Sequence, residues 1–253
     1  MIPCKICDSD ITQIYPSKIS PFFIERMGID KSFKTNIVEC RSCGFMSFDP
    51  LPEERYFDRV YSGYRSGEYQ KQRQRYEPRY TKEINDGLNN DMDISRRVEK
   101  AFAKGHSYQI VSVLDYGGDR GEHMKNLPIL KKYVYDISNV ELDSGMLRAE
   151  KGMKFDFIIC THLLEHVCDI YKTMETVVQY AHKGTYFYFE VPAEHWIDTW
   201  WKKIASKIYP FHKLHEHINQ FTPTSFELLL KQHHIISINV SESNVIAYLG
   251  LVV

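Results

Sequence analysis

The run Val111-Ser-Val-Leu-Asp-Tyr-Gly-Gly-Asp-Arg-Gly-Glu122 constrains this chain more than any other feature. A short apolar stretch ends in an acid and passes into Gly117, Gly118 and Gly121. An apolar run bounded by glycine reads as a buried strand, and the residues beyond it read as the start of a helix. Glycine lacks Cβ, so the chain can turn sharply here and let a ligand lie against its backbone. A second acid, Asp136, follows about 20 residues later at the end of another apolar run, Tyr133-Val-Tyr-Asp136. A carboxylate at the tip of a second strand is placed to accept hydrogen bonds from two ribose hydroxyls. The pattern predicts a parallel α/β sheet that binds a nucleoside-bearing ligand across its carboxyl edge.

These residues resemble motif I of class I S-adenosylmethionine (SAM) dependent methyltransferases, roughly D-x-G-x-G-x-G. The match departs at the middle glycine, where Asp119 stands, and Gly118 beside it supplies the flexibility. A dinucleotide-binding turn, G-x-G-x-x-G, is the rival, and the spacing fits it poorly. The resemblance assigns Asp115, Gly117, Gly118, Gly121, Asp136 and the following Ile137 to the cofactor site. Lys154-Phe-Asp-Phe-Ile-Ile-Cys-Thr-His-Leu-Leu-Glu-His166 resembles the fourth strand of the same fold and the "LEH" helix start after it. Thr161 and His162 would then reach the cofactor from the carboxyl end of that strand. The plainer readings make Thr161 a helix N-cap and His166 a packing residue. The implied fold class is α/β: a Rossmann-like seven-stranded sheet closed by a terminal antiparallel hairpin.

Four of the six cysteines form two C-x-x-C pairs, Cys4 with Cys7 and Cys40 with Cys43. Each pair can present two thiolates to one metal, and two pairs complete a tetrahedral structural zinc site. A disulfide framework is the alternative, but a chain this large does not need one. Cys160 and Cys168 read as small core residues.

The formal net charge of −1 provides no field to attract a polyanion. The start of the chain lacks the basic and apolar regions of a signal peptide, and no run reaches the length of a membrane span. A cytoplasmic protein is expected. The zinc-binding module is expected over residues 1–52, a helical lid or linker over 53–105, and the methyltransferase domain over 106–253. Strands are predicted at Ile110–Asp115, Tyr133–Asp136, Phe155–Cys160, Thr185–Val191, Ile235–Ser241 and Val245–Val252, with a third strand indistinct in Gly145–Glu150. Helices are predicted at Glu68–Asn85, Ser95–Lys104 and Thr222–His233, the last opened by Pro223 in its first turn.

His212-Lys-Leu-His-Glu-His-Ile-Asn-Gln-Phe-Thr222 gathers three histidines and a carboxylate after the fifth strand. It resembles the E-H-x-x-x-F-[ST] element of zinc-binding methyltransferases that modify nucleotide sugars and surface-polysaccharide precursors. Glu216-His217 and Phe221-Thr222 carry the match. The resemblance makes His217 the general base and Glu216 its companion, with His162 and Glu190 next in line for the base. The tyrosine that precedes the pair in the sugar C-methyltransferases is missing, and so is their second α/β domain. His212 and His215 read as solvated. Trp196 reads as lining an acceptor pocket or packing a lid, and Trp200 and Trp201 as packing. Upstream, Tyr64, Tyr69 and Arg73 are the candidates to close over SAM, the arginine pairing with its carboxylate.

The expected function is methyl transfer from SAM, to oxygen, on a nucleotide-activated or glycan-linked sugar in surface-glycan (capsule or lipopolysaccharide) biosynthesis. The alternatives are an RNA methyltransferase with a zinc module, which the neutral charge disfavours, and a non-catalytic SAM-binding partner subunit. The sequence is silent on oligomeric state.

Overall fold

The computed structural model describes residues 2–10, 12–90, 94–103, 110–138, 140–193, 213–242 and 244–252. In chain order its elements are β1 (Thr12–Ile19), α1 (Pro21–Met27), β2 (Thr35–Cys40), β3 (Met46–Asp49), α2 (Glu54–Tyr61), α3 (Gly67–Tyr76), α4 (Lys82–Asn90) and α5 (Ser95–Ala103). Then come β4 (Ser112–Tyr116), β5 (Lys131–Tyr135), β6 (Met146–Arg148), β7 (Phe155–Thr161), α6 (Ile170–Val178) and β8 (Ala181–Pro192). The last are β9 (Lys213–Leu214), β10 (Asn219–Gln220), α7 (Pro223–Gln232), β11 (Ile235–Asn239) and β12 (Val245–Val252). The chain divides into two compact units, one of residues 1–89 and 193–225, the other of residues 90–192 and 226–253.

The second unit carries a seven-stranded sheet in the order β11-β12-β8-β7-β4-β5-β6. Strands β8, β7, β4, β5 and β6 are parallel neighbours, and β12 pairs antiparallel with both β8 and β11. This is the Rossmann-like methyltransferase sheet with its terminal antiparallel hairpin. The indistinct third strand is β6, only three residues long. The central strand β7 is buried along almost its whole length, as an apolar strand covered on both faces must be. Its core joins Val98 and Ala101 of α5 to Val113, Phe157, Ile159, Tyr188 and Leu249 of the sheet.

Three sequence expectations need correction. The glycine turn leads only into a 3-10 turn, Glu122–Met124, because His123 turns inward to the Asp115 carboxylate and Pro128 follows closely. The "LEH" stretch is a turn, not a helix start; α6 begins at Ile170, where the Asp169 side chain accepts from the Lys172 N–H at 3.0 Å. Thr161 therefore caps no helix and is the last residue of β7. The helix expected over Glu68–Asn85 is two, α3 and α4, since Pro78 cannot continue a helical ladder.

The first unit holds a five-stranded sheet, β10-β3-β2-β1-β9. Strands β1 to β3 form an antiparallel meander, while the two-residue β9 and β10 add at its two edges. Helix α1 ends on Gly28 in the left-handed conformation, φ 67°. Phe22, Phe23, Phe45, Phe48, Tyr69, Leu214 and Ile218 are buried in this unit.

Candidate functional site

In the second unit the carboxyl ends of β4, β5, β7 and β8 bring the sequence-predicted residues to one edge. Gly117 (φ 79°) and Gly121 (φ 94°) make the turn after β4, and Asp119 adopts φ 49° between them. Aspartate tolerates this left-handed region better than most residues, so the missing middle glycine costs little. A Cβ on Gly118 would sit 2.2 Å from Asp115 Cγ, which requires glycine there. Asp115 itself is fully buried and supports the turn from beneath, both its oxygens within 3.1 Å of His123 Nδ1. Burial opposes protonation of His123, but the Asp115 charge outweighs it and raises the histidine pKa. Thr161 Oγ1 lies 3.2 Å from the same nitrogen, so Thr161 joins this buried cluster rather than open space.

Asp136 stands at the tip of β5. Its Oδ2 accepts from the Asp119 N–H at 3.0 Å and its Oδ1 from the Ser138 N–H at 2.7 Å. Each carboxylate oxygen can accept a further hydrogen bond, so the group remains competent toward a diol. Ile137 beside it is 73% exposed.

His162 occupies a left-handed conformation, φ 50°, just past β7. Its Nε2 lies 3.0 Å from Glu190 Oε1 and its Nδ1 3.3 Å from Glu165 Oε1. Burial pulls its pKa down, but bonds to the two glutamates win and lift it to about 9. The two carboxylates thus favour the protonated ring. Glu190 is the second partner of that ring. Although buried, it is held ionised below the usual range by His162, Tyr188 (2.6 Å) and a two-pronged contact from Arg97 (2.8 Å for each bond). Arg97, His123 and Tyr188 were missed in the sequence. The nearest signal was a histidine two places after Gly121, and none pointed to Arg97.

In the first unit Glu216 is gripped from two sides. Arg73 Nη1 donates to its Oε1 at 2.8 Å, the Tyr69 hydroxyl donates to the same oxygen, and the Tyr61 hydroxyl reaches its carbonyl at 3.3 Å. Arg73 also binds Glu77 at 2.7 Å and lies 3.9 Å from the centre of the Tyr80 ring. Tyr69 is fully buried, and the half-buried Tyr64 ring packs against it at 5.2 Å. The guanidinium expected to pair with a cofactor carboxylate is thus engaged by two carboxylates of its own unit.

His215 is not solvated. It stacks on Phe23 at 4.7 Å because Leu214 anchors the segment to β1, its Nε2 contacts Glu77 at 2.7 Å, and its Nδ1 accepts the Glu216 N–H at 2.8 Å. Burial raises the Glu77 pKa, but His215 and Arg73 prevail and hold it down at about 2. His217 is half-buried. Trp196, Trp200, Trp201 and His212 lie outside the described residues.

The four cysteines converge in the same unit. Cys4 Sγ is 3.6 Å from Cys43 Sγ, Cys7 Sγ is 3.5 Å from Cys40 Sγ, and all four sulfurs lie within 4.8 Å of one another. These separations exclude disulfides, whose S–S bond is about 2 Å. They approach the ~3.8 Å edge of a tetrahedron with ~2.3 Å metal–sulfur bonds.

A methyltransferase domain family matches residues 61–233. The chain belongs to that methyltransferase family. No curated protein matches it in sequence. Among solved structures it is similar to a SAM-dependent methyltransferase from Aquifex aeolicus, with 16% identity, 64% of this chain and 91% of that chain covered, and a TM-score of 0.44. A second, from Clostridium acetobutylicum ATCC 824, has 14% identity, coverage of 65% and 94%, and a TM-score of 0.43. Human N-acetylserotonin methyltransferase, in complex with SAM, has 14% identity, coverage of 80% and 60%, and a TM-score of 0.45. Among the described residues no helix of this methyltransferase is long and apolar enough to cross a membrane.

Proposed function

We propose that this methyltransferase uses SAM to methylate a hydroxyl of a nucleotide-activated or glycan-linked sugar in surface-glycan assembly. The observation that carries the SAM reading is Asp136, a carboxylate fixed at the tip of β5 by two backbone N–H groups beside a glycine turn. SAM, when bound, supplies a methyl group already activated on a sulfonium. The chain must then orient an acceptor and take up its proton. His217 is the base in this reading, imidazole being the side chain most often used for proton transfer. Glu216, bound by Arg73 and Tyr69, orients the segment that carries His217. The sugar acceptor is supported by the Glu216-His217 and Phe221-Thr222 pattern, and oxygen as the methylated atom by Leu214 and His215, which stand where the sugar C-methyltransferases carry a tyrosine.

The cysteine quartet fits structural zinc, because four thiolates leave no position for water or substrate. Incubation with labelled SAM and a panel of nucleotide sugars, read by product mass, should yield a singly methylated sugar nucleotide. Asp136→Ala should weaken SAM binding by about 1–3 kcal/mol in calorimetry. Wild-type affinity in that variant would remove Asp136 from the cofactor site.

A further inference from the structure

The loop that carries Glu216 and His217 does not end free. Its Ile218 carbonyl accepts the Phe48 N–H at 3.3 Å, and Asn219–Gln220 pair with Met46–Ser47 of β3. Strand β3 begins directly after the second cysteine knuckle, Cys40-Arg-Ser-Cys-Gly-Phe45, which is closed by Gly44 N–H to Cys40 O at 2.9 Å and Cys40 N–H to Phe45 O at 2.8 Å. Phe221 then packs on Phe45 at 5.2 Å. The Thr222 hydroxyl donates to the Cys43 carbonyl at 2.6 Å. Gly44, at φ 75°, has no Cβ, and one placed there would lie 2.7 Å from Thr222 Cγ2. Thr222 thus fits against the knuckle at a point only glycine leaves open.

The same hydroxyl also caps α7. It accepts the Ser225 N–H at 3.1 Å, and Ser225 Oγ accepts the Thr222 N–H at 2.9 Å, a reciprocal cap. A hydroxyl used only for capping has no need of the Cys43 carbonyl. One threonine therefore serves two structures, and the bond to Cys43 is the one that reaches the metal-ligating segment.

We infer that Thr222 is a positioning residue that fastens the Glu216-His217 loop to the second cysteine knuckle, so that metal ligation and loop geometry depend on one another. The inference rests on reading the quartet as a zinc site and His217 as the base. Losing a contact just outside a metal's ligands typically costs about 10–100-fold in affinity; the Thr222 bond reaches the backbone of Cys43 rather than its sulfur, which places its effect at the low end of that range.

The test uses the full chain and Zn2+ alone, with affinity read by competition against a chromophoric chelator and His217 read by its imidazole NMR resonances. Thr222→Val keeps the methyl bulk and loses the donor. It should weaken zinc binding about 10-fold and shift the His217 resonances in the direction that zinc removal shifts them. Thr222→Ser should restore both. Ser225→Ala disturbs the cap without touching Cys43, so it should lower thermal stability yet leave zinc affinity and His217 unchanged. A Thr222→Val protein with wild-type zinc affinity and unmoved His217 resonances overturns the inference.

Wild-type protein that binds no zinc sinks the metal reading itself. The clamp then stands or falls on whether Thr222→Val shifts His217. Should Thr222→Val fail to fold, hydrogen exchange on the wild type decides. Chelation must then cost the Asn219 and Gln220 amides their protection, and unchanged protection there overturns the coupling.

Discussion

A histidine at a methyltransferase's sheet edge invites assignment as a base, and His162 shows why partners decide the matter. Two glutamates hold its ring nitrogens and raise its pKa to about 9. The folded value exceeds the unfolded one of about 6.5, so the proton favours the fold. That contribution is complete below about pH 6.5 and disappears as pH rises through about 9. Glu190→Gln should bring the His162 NMR titration midpoint down towards the ordinary range; an unmoved midpoint would mean that Glu165 alone sustains it. His217→Asn should keep SAM affinity and lower turnover on the true acceptor by roughly 10²–10⁴, the usual worth of a positioned base. Turnover within a few-fold of wild type would move the search for the base to His162 and Glu190. Asp115, Asp136 and the glycines were legible because the turn needs those residue types. Arg97 was not, because nothing local distinguishes an arginine that meets a glutamate far along the chain.

Helix α3 illustrates what periodicity conveys and what it leaves out. The tyrosines and arginines between Tyr64 and Tyr76 marked the segment as unusual, yet Glu216, the partner of Tyr69 and Arg73, comes from far along the chain. Arg73, Glu77, His215 and Glu216 close a circuit: side chain to side chain three times, then the Glu216 N–H back to His215. Arg73→Met would leave two mostly buried carboxylates without their cation. The cost should be about 2–4 kcal/mol in urea unfolding at pH 7, near the lower end for breaking a buried pair. A loss below about 0.5 kcal/mol would place the circuit among surface ion pairs. Glu77 carries an acid signature as well. Its folded pKa of about 2 lies below the unfolded value, so its contribution is present above about pH 4.5 and lost as pH falls through 2. The same local blindness explains the helix expected after the glycine turn: its residues tolerate helix, but the Asp115–His123 pair fixes the chain otherwise.

At the scale of the molecule, the alternation of apolar runs with turns was enough to indicate a parallel sheet ending in a hairpin, because buried strands must be apolar and their connections must carry turn chemistry. The first unit was harder to read. Its sheet is completed by β9 and β10, two residues each, far too short to show a period, and they reach the meander from a distant part of the chain. The cysteines gave the legible sign of its meander, and they carry its last prediction. Its meander is small, and β2 and β3 meet the knuckles directly: Cys40 ends one, and Met46 opens the other close after Cys43. If the quartet holds zinc as proposed, a small sheet tied this way should depend on it, since ligand binding to the folded state is itself folding free energy. Purified protein should contain one zinc per chain. Chelation, or Cys40→Ser, should release hydrogen-exchange protection across β1, β2 and β3, while amides of the largely buried strand β7 stay protected. Two outcomes would count against this: no bound zinc, or a zinc lost from Cys40→Ser with protection of β2 intact. The second would mean that the aromatic core around Phe22, Phe45 and Phe48 holds the meander without help from the thiolates.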